Sequence, residues 1–365
     1  MDWEKELKKS ITSINQLKSY INLSSKEEAQ LKRIAKIHPI RISRYYMSLI
    51  DKENPTDPIR KMIIPSPQEL NLAGSYDTSG EKESTKMPGL QHMYPQTALI
   101  LATNRCPAYC RYCFRKRLIG LATDEILHRI ATAIKYIKQH QEINNVLISG
   151  GDPFILSTKI IESLLEKLSS VTHLDYIRFG TRTPVTFPSR ILKDPQLPAL
   201  LKNHSDKKQK IYITTQFNHP KEITKKSIAA ITALSRSNLT INNQTVLLKD
   251  INDDPNILAN LQAKLVSVGI NPYYIFQCRP VKRIKTSFQI PLKKSYAIIE
   301  EASKKLDGLS KRFNYVMSHR TGKIEITGIM GNYIYFKYHQ ARNPKNIGKC
   351  FKKKINNEAG WLDDL

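Results

Sequence analysis

Acidic residues are scarce in this chain. Only 32 Asp and Glu stand against 58 Lys and Arg over 365 residues, leaving a net charge of +26. That imbalance favours anionic partners such as phosphorylated cofactors, acidic proteins or nucleic acid, although a lysine excess also arises as a general surface bias. Five cysteines are too few for a disulfide scaffold, so a reducing compartment is expected. No apolar run approaches the ~20 residues that span a bilayer, and no membrane partner is expected. The opening Met1-Asp2-Trp3-Glu4-Lys5 has no apolar export core, which makes the cytoplasm the expected location. No internal repeat or low-complexity tract is present. What remains is a mixed α/β protein, 40% hydrophobic and long enough to bury an ample core.

Two rhythms divide the sequence. Up to about residue 60, apolar residues recur at helical spacing (Leu17, Tyr20, Ile21; Leu31, Ile34, Ala35), and Ser24-Ser25-Lys26-Glu27-Glu28 reads as an N-cap with a first-turn acidic pair. A polar stretch, 73–88, reads as a linker. Beyond it, short apolar strands at 98–103, 145–149, 176–180, 210–216, 244–248 and 273–277 alternate with helices around 126–139, 159–168, 222–235 and 257–267. Alternation of this kind implies a parallel sheet, and six units suit a partial (β/α)6 barrel better than a closed eight-stranded one. The expected organisation is therefore a helical region and linker over 1–88, a barrel over 89–285, and an extension over 286–365 carrying β-like segments at 323–331 and 333–338. In parallel α/β folds ligands bind beyond the carboxyl ends of the strands, so chemistry is expected directly after them.

Directly after the first barrel strand lies Cys106-Pro107-Ala108-Tyr109-Cys110-Arg111-Tyr112-Cys113, which gathers three of the five cysteines into eight residues. Thiolates hold Fe–S clusters, and three of them on one loop leave a fourth iron position open to a ligand. Zinc fits less well, because no nearby fourth Cys or His completes a tetrahedral set. After the second strand comes Ser149-Gly150-Gly151-Asp152-Pro153, where glycines permit close backbone approach.

Together, C-x3-C-x2-C after the first strand and Gly-Gly-Asp after the second resemble the radical S-adenosylmethionine (SAM) superfamily. The resemblance implies a 4Fe–4S cluster on Cys106, Cys110 and Cys113, with SAM on its open iron and against Gly150, Gly151 and Asp152. One-electron cleavage of SAM would then yield a 5′-deoxyadenosyl radical, fed by an electron donor such as ferredoxin or flavodoxin.

Further strings narrow the likeness. Pro88-Gly89-Leu90-Gln91-His92-Met93-Tyr94-Pro95, Thr181-Arg182-Thr183-Pro184, Phe217-Asn218-His219-Pro220, Asn243-Gln244-Thr245-Val246-Leu247-Leu248 and Pro272-Tyr273-Tyr274-Ile275-Phe276-Gln277-Cys278 occur in an order similar to the lysine 2,3-aminomutase family. That family uses pyridoxal phosphate (PLP), held by a lysine as a Schiff base, to move an amino group from C2 to C3 of an amino acid. The resemblance implies Lys323 as that lysine, Arg115 as the binder of the substrate carboxylate, and Gln244 as a further contact to SAM.

Three departures stand out. Arg279 and the acid-free stretch 316–318 occupy places where the lysine enzyme sets carboxylates against the distal ammonium of its substrate. Met93 and Thr97 replace two arginines that face the PLP phosphate, and Arg182 or Arg190 is expected to compensate. The cysteine-rich zinc tail has no counterpart after Cys350, so zinc-tied assembly is not expected, although a homo-oligomer is compatible with the sequence. The primary expectation is a PLP-dependent aminomutase acting on a small amino acid. The alternatives are a radical SAM enzyme without amino migration, and one that modifies a lysine of translation elongation factor P. Nucleic-acid binding is disfavoured, because it accounts for the charge alone.

Overall fold

The computed structural model describes residues 2–365, and the strands carry most of its organisation. Twelve strands lie in one sheet in sequence order: β1 (Thr85–Met87), β2 (Leu90–Tyr94), β3 (Thr97–Thr103), β4 (Asn145–Gly150), β5 (Tyr176–Gly180), β6 (Lys210–Thr215), β7 (Thr240–Leu247), β8 (Asn271–Gln277), β9 (Asn314–His319), β10 (Gly322–Met330), β11 (Tyr333–Ala341) and β12 (Cys350–Lys354). Pairing is parallel from β3 through β9 and antiparallel at both ends. The edges β1 and β12 do not pair with each other, so the sheet curls into an open, partial barrel.

The parallel strands form where the sequence is rich in Ile, Val and Leu, because helices cover their outer faces. Ile100, Val146, Ile148, Ile177, Ile213 and Ile275 are all fully buried. Helices Ile130–Gln139, Thr158–Ser169, Lys225–Arg236 and Pro255–Ser267 fill the crossovers. The helical entry is as the sequence suggests. Ser24 caps helix Ser25–Ile37 in a reciprocal box with Glu27, and Leu31 and Ile34 are buried.

Several elements differ from the sequence-based expectation. A helix at Gln196–Lys207, a helix at Leu292–Ser303, the hairpin β1–β2 and the strands β9 and β12 were not evident from periodicity. The stretch 73–88 is not a free linker either. Ser75 pairs with Val281 in an isolated bridge, and Ser79, Glu81 and Ser84 are buried. None of the helices among the described residues is long and apolar enough to cross a membrane.

Candidate functional site

The loops after β3, β4, β5, β6 and β8 open at the same end of the sheet and surround one cavity of ≈ 370 Å³. Its wall contains Cys106, Cys110, Cys113, Arg115, Gly150, Gly151, Asp152, Arg182, Gln244, Arg279 and Lys323. Of the residues singled out in the sequence, only Arg190 lies elsewhere.

The three thiols share the floor. Burial pushes the Cys106 thiol well up and Cys113 up to about 11. Cys110 accepts a hydrogen bond from Arg182 Nη1 at 2.9 Å. Half-buried thiols that share one loop, one of them beside a guanidinium, suit iron, which takes the place of the protons. The loop is held by ion pairs from the preceding segment. Arg111 donates twice to Glu69, at 2.8 and 2.6 Å, and Lys116 reaches the same carboxylate at 2.6 Å. Although burial opposes it, these two cations hold the Glu69 carboxyl at about 2.

Gly150 and Gly151 bring the end of β4 against the base of this loop. A Cβ on Gly150, whose φ is +109°, would lie 2.4 Å from the Thr103 carbonyl oxygen, and one on Gly151 2.2 Å from that of Arg105. Only glycine permits this approach. Asp152 is engaged within the protein: its carboxylate accepts from Thr181 Oγ1 at 2.6 Å, the Arg182 amide at 2.8 Å and the Phe154 amide at 3.1 Å. What this stretch presents to a ligand is therefore backbone.

The far wall is cationic. Arg115 donates to Glu81 at 3.1 Å and to Ser149 Oγ and the Gly150 carbonyl at 3.3 Å. Arg279 donates to Ser79 at 2.7 Å. Both guanidiniums lie against the Phe114 ring, Arg115 at 4.6 Å and Arg279 at 4.1 Å from its centroid. Burial lowers the pKa of Arg279; Glu81 opposes that shift and Arg115 adds to it. Lys323 lies on β10 with Nζ 4.2 Å from the Tyr274 ring centroid, and its ammonium makes no hydrogen bond or ion pair among the described residues. Burial brings its ammonium down to about 7, and Arg178 and Arg279 push in the same direction.

Two expectations for the PLP phosphate need correction. Arg190 is fully buried outside the cavity. It donates to the Phe154 carbonyl at 2.6 Å, Asp194 at 2.6 Å and Thr158 at 3.1 Å, and its guanidinium lies over Trp3 at 4.2 Å. With its donors engaged inside the structure, it has none to offer a cofactor. Arg182 lines the cavity on the cysteine side, where Cys110, the Gln216 carbonyl, Tyr46 and Glu222 take its donors. The arginine that stands by Lys323 is Arg178, which the sequence reading passed over. It donates to Asn145 at 2.7 Å, yet its buried Nε has no partner. Glu81 and Glu69 were passed over as well. Arg178 did leave a signal: a charge at an inner position of a parallel strand is out of place unless something anionic faces it.

Residues 100–260 match the Radical SAM superfamily. The chain is 40% identical over 357 residues to a putative L-lysine 2,3-aminomutase of Aquifex aeolicus strain VF5, covering 98% of this chain and 95% of that one. It is 35% identical over 370 residues to L-lysine 2,3-aminomutase of Clostridium subterminale, covering 100% and 87%. The chain belongs to the radical SAM lysine 2,3-aminomutase family. A glutamate 2,3-aminomutase of Clostridioides difficile strain 630 is also similar, at 38% identity over 292 residues, covering 78% of this chain and 67% of that protein. In this aminomutase family the cofactors are a 4Fe–4S cluster, SAM and PLP. The cavity fits them: three thiols share one loop, glycine backbone lies beside it, and an unpaired amine stands next to an arginine with an orphaned donor.

Proposed function

We propose that this aminomutase moves an amino group between C2 and C3 of an α-amino acid whose side chain ends in a carboxylate or carbonyl. The reading rests on Arg279. Its guanidinium faces the cavity beside Arg115, and Glu81 is the acid that stands against the pair. A lysine ammonium ~4 Å from Arg279 would be repelled by about 4 kcal/mol at an intermediate dielectric, enough to lose most of its binding. An oxygen acceptor there gains charge-assisted hydrogen bonds instead.

When bound, the cluster and SAM supply the radical that removes a substrate hydrogen, and PLP supplies the carbonyl that carries the migrating amine. The protein's own residues do the rest. Cys106, Cys110 and Cys113 hold iron and leave one position open. The backbone of Gly150 and Gly151 and the Gln244 side chain line the place for SAM. Lys323, its ammonium brought down to about 7, would offer a nucleophilic nitrogen to PLP, and Arg178 would hold the phosphate. Arg115 turns its planar fork to the α-carboxylate while Glu81 fixes its orientation. Cluster reduction needs a low-potential donor. An acidic ferredoxin or flavodoxin suits a chain of charge +26, and the reducing cytoplasm suits its free cysteines.

The test is anaerobic reconstitution with PLP, SAM and a reductant, followed by a panel of amino acids scored for β-isomers. Glutamate-like or neutral amino acids should outperform lysine, and Arg279→Asp should shift the preference toward lysine. Faster conversion of lysine than of glutamate by the wild type, or an Arg279→Asp variant of unchanged preference, rules the reading out.

A further inference from the structure

Away from the cavity, three metal-ligating side chains converge among the described residues. His92 lies in the middle of β2, His140 directly follows helix Ile130–Gln139, and Glu142 precedes β4. Their donor atoms all lie within 4.8 Å of one another. They gather where β3 and β4 begin, at the opposite end of these strands from the cysteine loop.

The hydrogen bonds of His92 define which of its nitrogens is available. Its Nε2 lies 3.0 Å from the Pro95 carbonyl oxygen, which can only accept, so Nε2 carries the hydrogen. Nδ1 therefore keeps its lone pair, into which the Tyr136 hydroxyl donates at 3.0 Å. An imidazole whose far N–H is tied to a backbone carbonyl is the usual arrangement of a metal-ligating histidine, because that bond fixes tautomer and ring orientation. The His140 ring stacks on Tyr136 at 4.1 Å and meets His92 edge-on at 5.4 Å, and its Nδ1 lies 2.8 Å from Glu142 Oε1. Side-chain exposures of 35% for His140 and 47% for Glu142 leave the cluster open to an ion from solvent.

We propose that His92 Nδ1, His140 and Glu142 form a binding site for a divalent transition-metal cation of the zinc class. Two imidazoles and one carboxylate are a donor set that zinc and its neighbours favour. Metal–donor bonds of ~2.0–2.2 Å place tetrahedral ligands roughly 3.3–3.5 Å apart, a spacing that donor atoms within 4.8 Å of one another reach by modest side-chain rotation, the 2.8 Å His140–Glu142 contact widening as the ion enters. Three protein ligands leave a fourth position for water. The bound ion ties the end of helix Ile130–Gln139 to β2, at the opposite end of the barrel strands from the cysteine loop, and so acts on stability rather than on SAM cleavage.

The test uses the reconstituted enzyme, with the cysteine loop occupied by its cluster, and Zn²⁺ alone as the probe. Equilibrium dialysis with elemental analysis should find one Zn²⁺ per chain beyond the cluster iron, and Zn²⁺ should raise the unfolding temperature. His140→Ala and Glu142→Gln should each weaken Zn²⁺ binding at least tenfold and abolish the thermal gain, with cluster absorbance and SAM cleavage unchanged. Cys350→Ser, which removes the exposed thiol, should retain full binding. Absence of stoichiometric Zn²⁺ in the wild type overturns the site. So does full binding by His140→Ala, or loss of binding in Cys350→Ser.

Discussion

At the scale of single residues, the cavity concerns which nitrogens are free. Four arginines and one lysine line it, but Arg182 is committed to Cys110, Tyr46 and Glu222, while Arg178 keeps an unpartnered Nε beside Lys323. An ordinary lysine titrates near ~10.4, whereas burial holds Lys323 at about 7. Its uncharged, nucleophilic form is therefore abundant from neutral pH upward. Trapping of PLP on Lys323 with borohydride, followed by peptide mapping against pH, should rise with a midpoint near pH 7. A midpoint near 10, or a label on another lysine, would contradict the assignment. Arg178→Gln should weaken PLP retention at least tenfold and leave SAM cleavage intact, since Arg178 stands apart from the thiols. Removing one thiol acts the other way: Cys110→Ala should lose both cluster iron and 5′-deoxyadenosine formation.

At the scale of elements, the cysteine loop depends on acids supplied from outside it. Arg111, Arg115, Lys116 and Arg117 would repel one another; Glu69 gathers Arg111 and Lys116 into one group, and Glu81 with Glu125 balances Arg115 and Arg117 in the other. Removing one member of a buried network of this kind costs about 3–5 kcal/mol. Glu69→Gln should therefore lower the unfolding temperature and release the cluster, measured by melting and by iron content. Glu81→Gln should act more locally. It frees Arg115 to swing, so KM for the amino acid should rise at least tenfold with a smaller change in kcat. The strands β3–β8 and the Cys and Gly-Gly motifs were legible in the sequence because apolar runs of five to seven residues bounded by turns have few other readings. The stretch 73–88 was not. Its polar residues are buried against a cationic wall, so composition alone reads as solvent exposure. Nor could spacing tell which arginine faces Lys323, because that depends on the register Leu147↔Arg178↔Tyr212 across three strands.

At the scale of the whole molecule, the sheet is open, and what spans the opening governs access to Lys323. The segment around Gly80–Ser84 does so from the N-terminal side. Asp77 anchors its start by accepting from the Glu81 and Lys82 amides at 2.8 and 3.0 Å. Glu81 faces inward to Arg115, while Glu83 faces outward to Arg320 at 2.5 Å and to Arg342. Arg342 also donates to the Gly80 carbonyl and Ser84 Oγ, both at 2.9 Å. Arg320 and Arg342 flank the open ends of β10 and β11, the strands that carry Lys323 and Gln340. A latch of exposed charges contributes little to global stability, and salt weakens it. Its effect belongs to the opening rate, because local opening is governed by the few contacts that a segment must break. Glu83→Gln should leave the unfolding temperature nearly unchanged but speed both release of PLP and borohydride labelling of Lys323 several-fold at low salt. Raising the salt should bring the wild type up to the variant. Equal labelling rates at low and high salt in both proteins would show that the opening is controlled elsewhere.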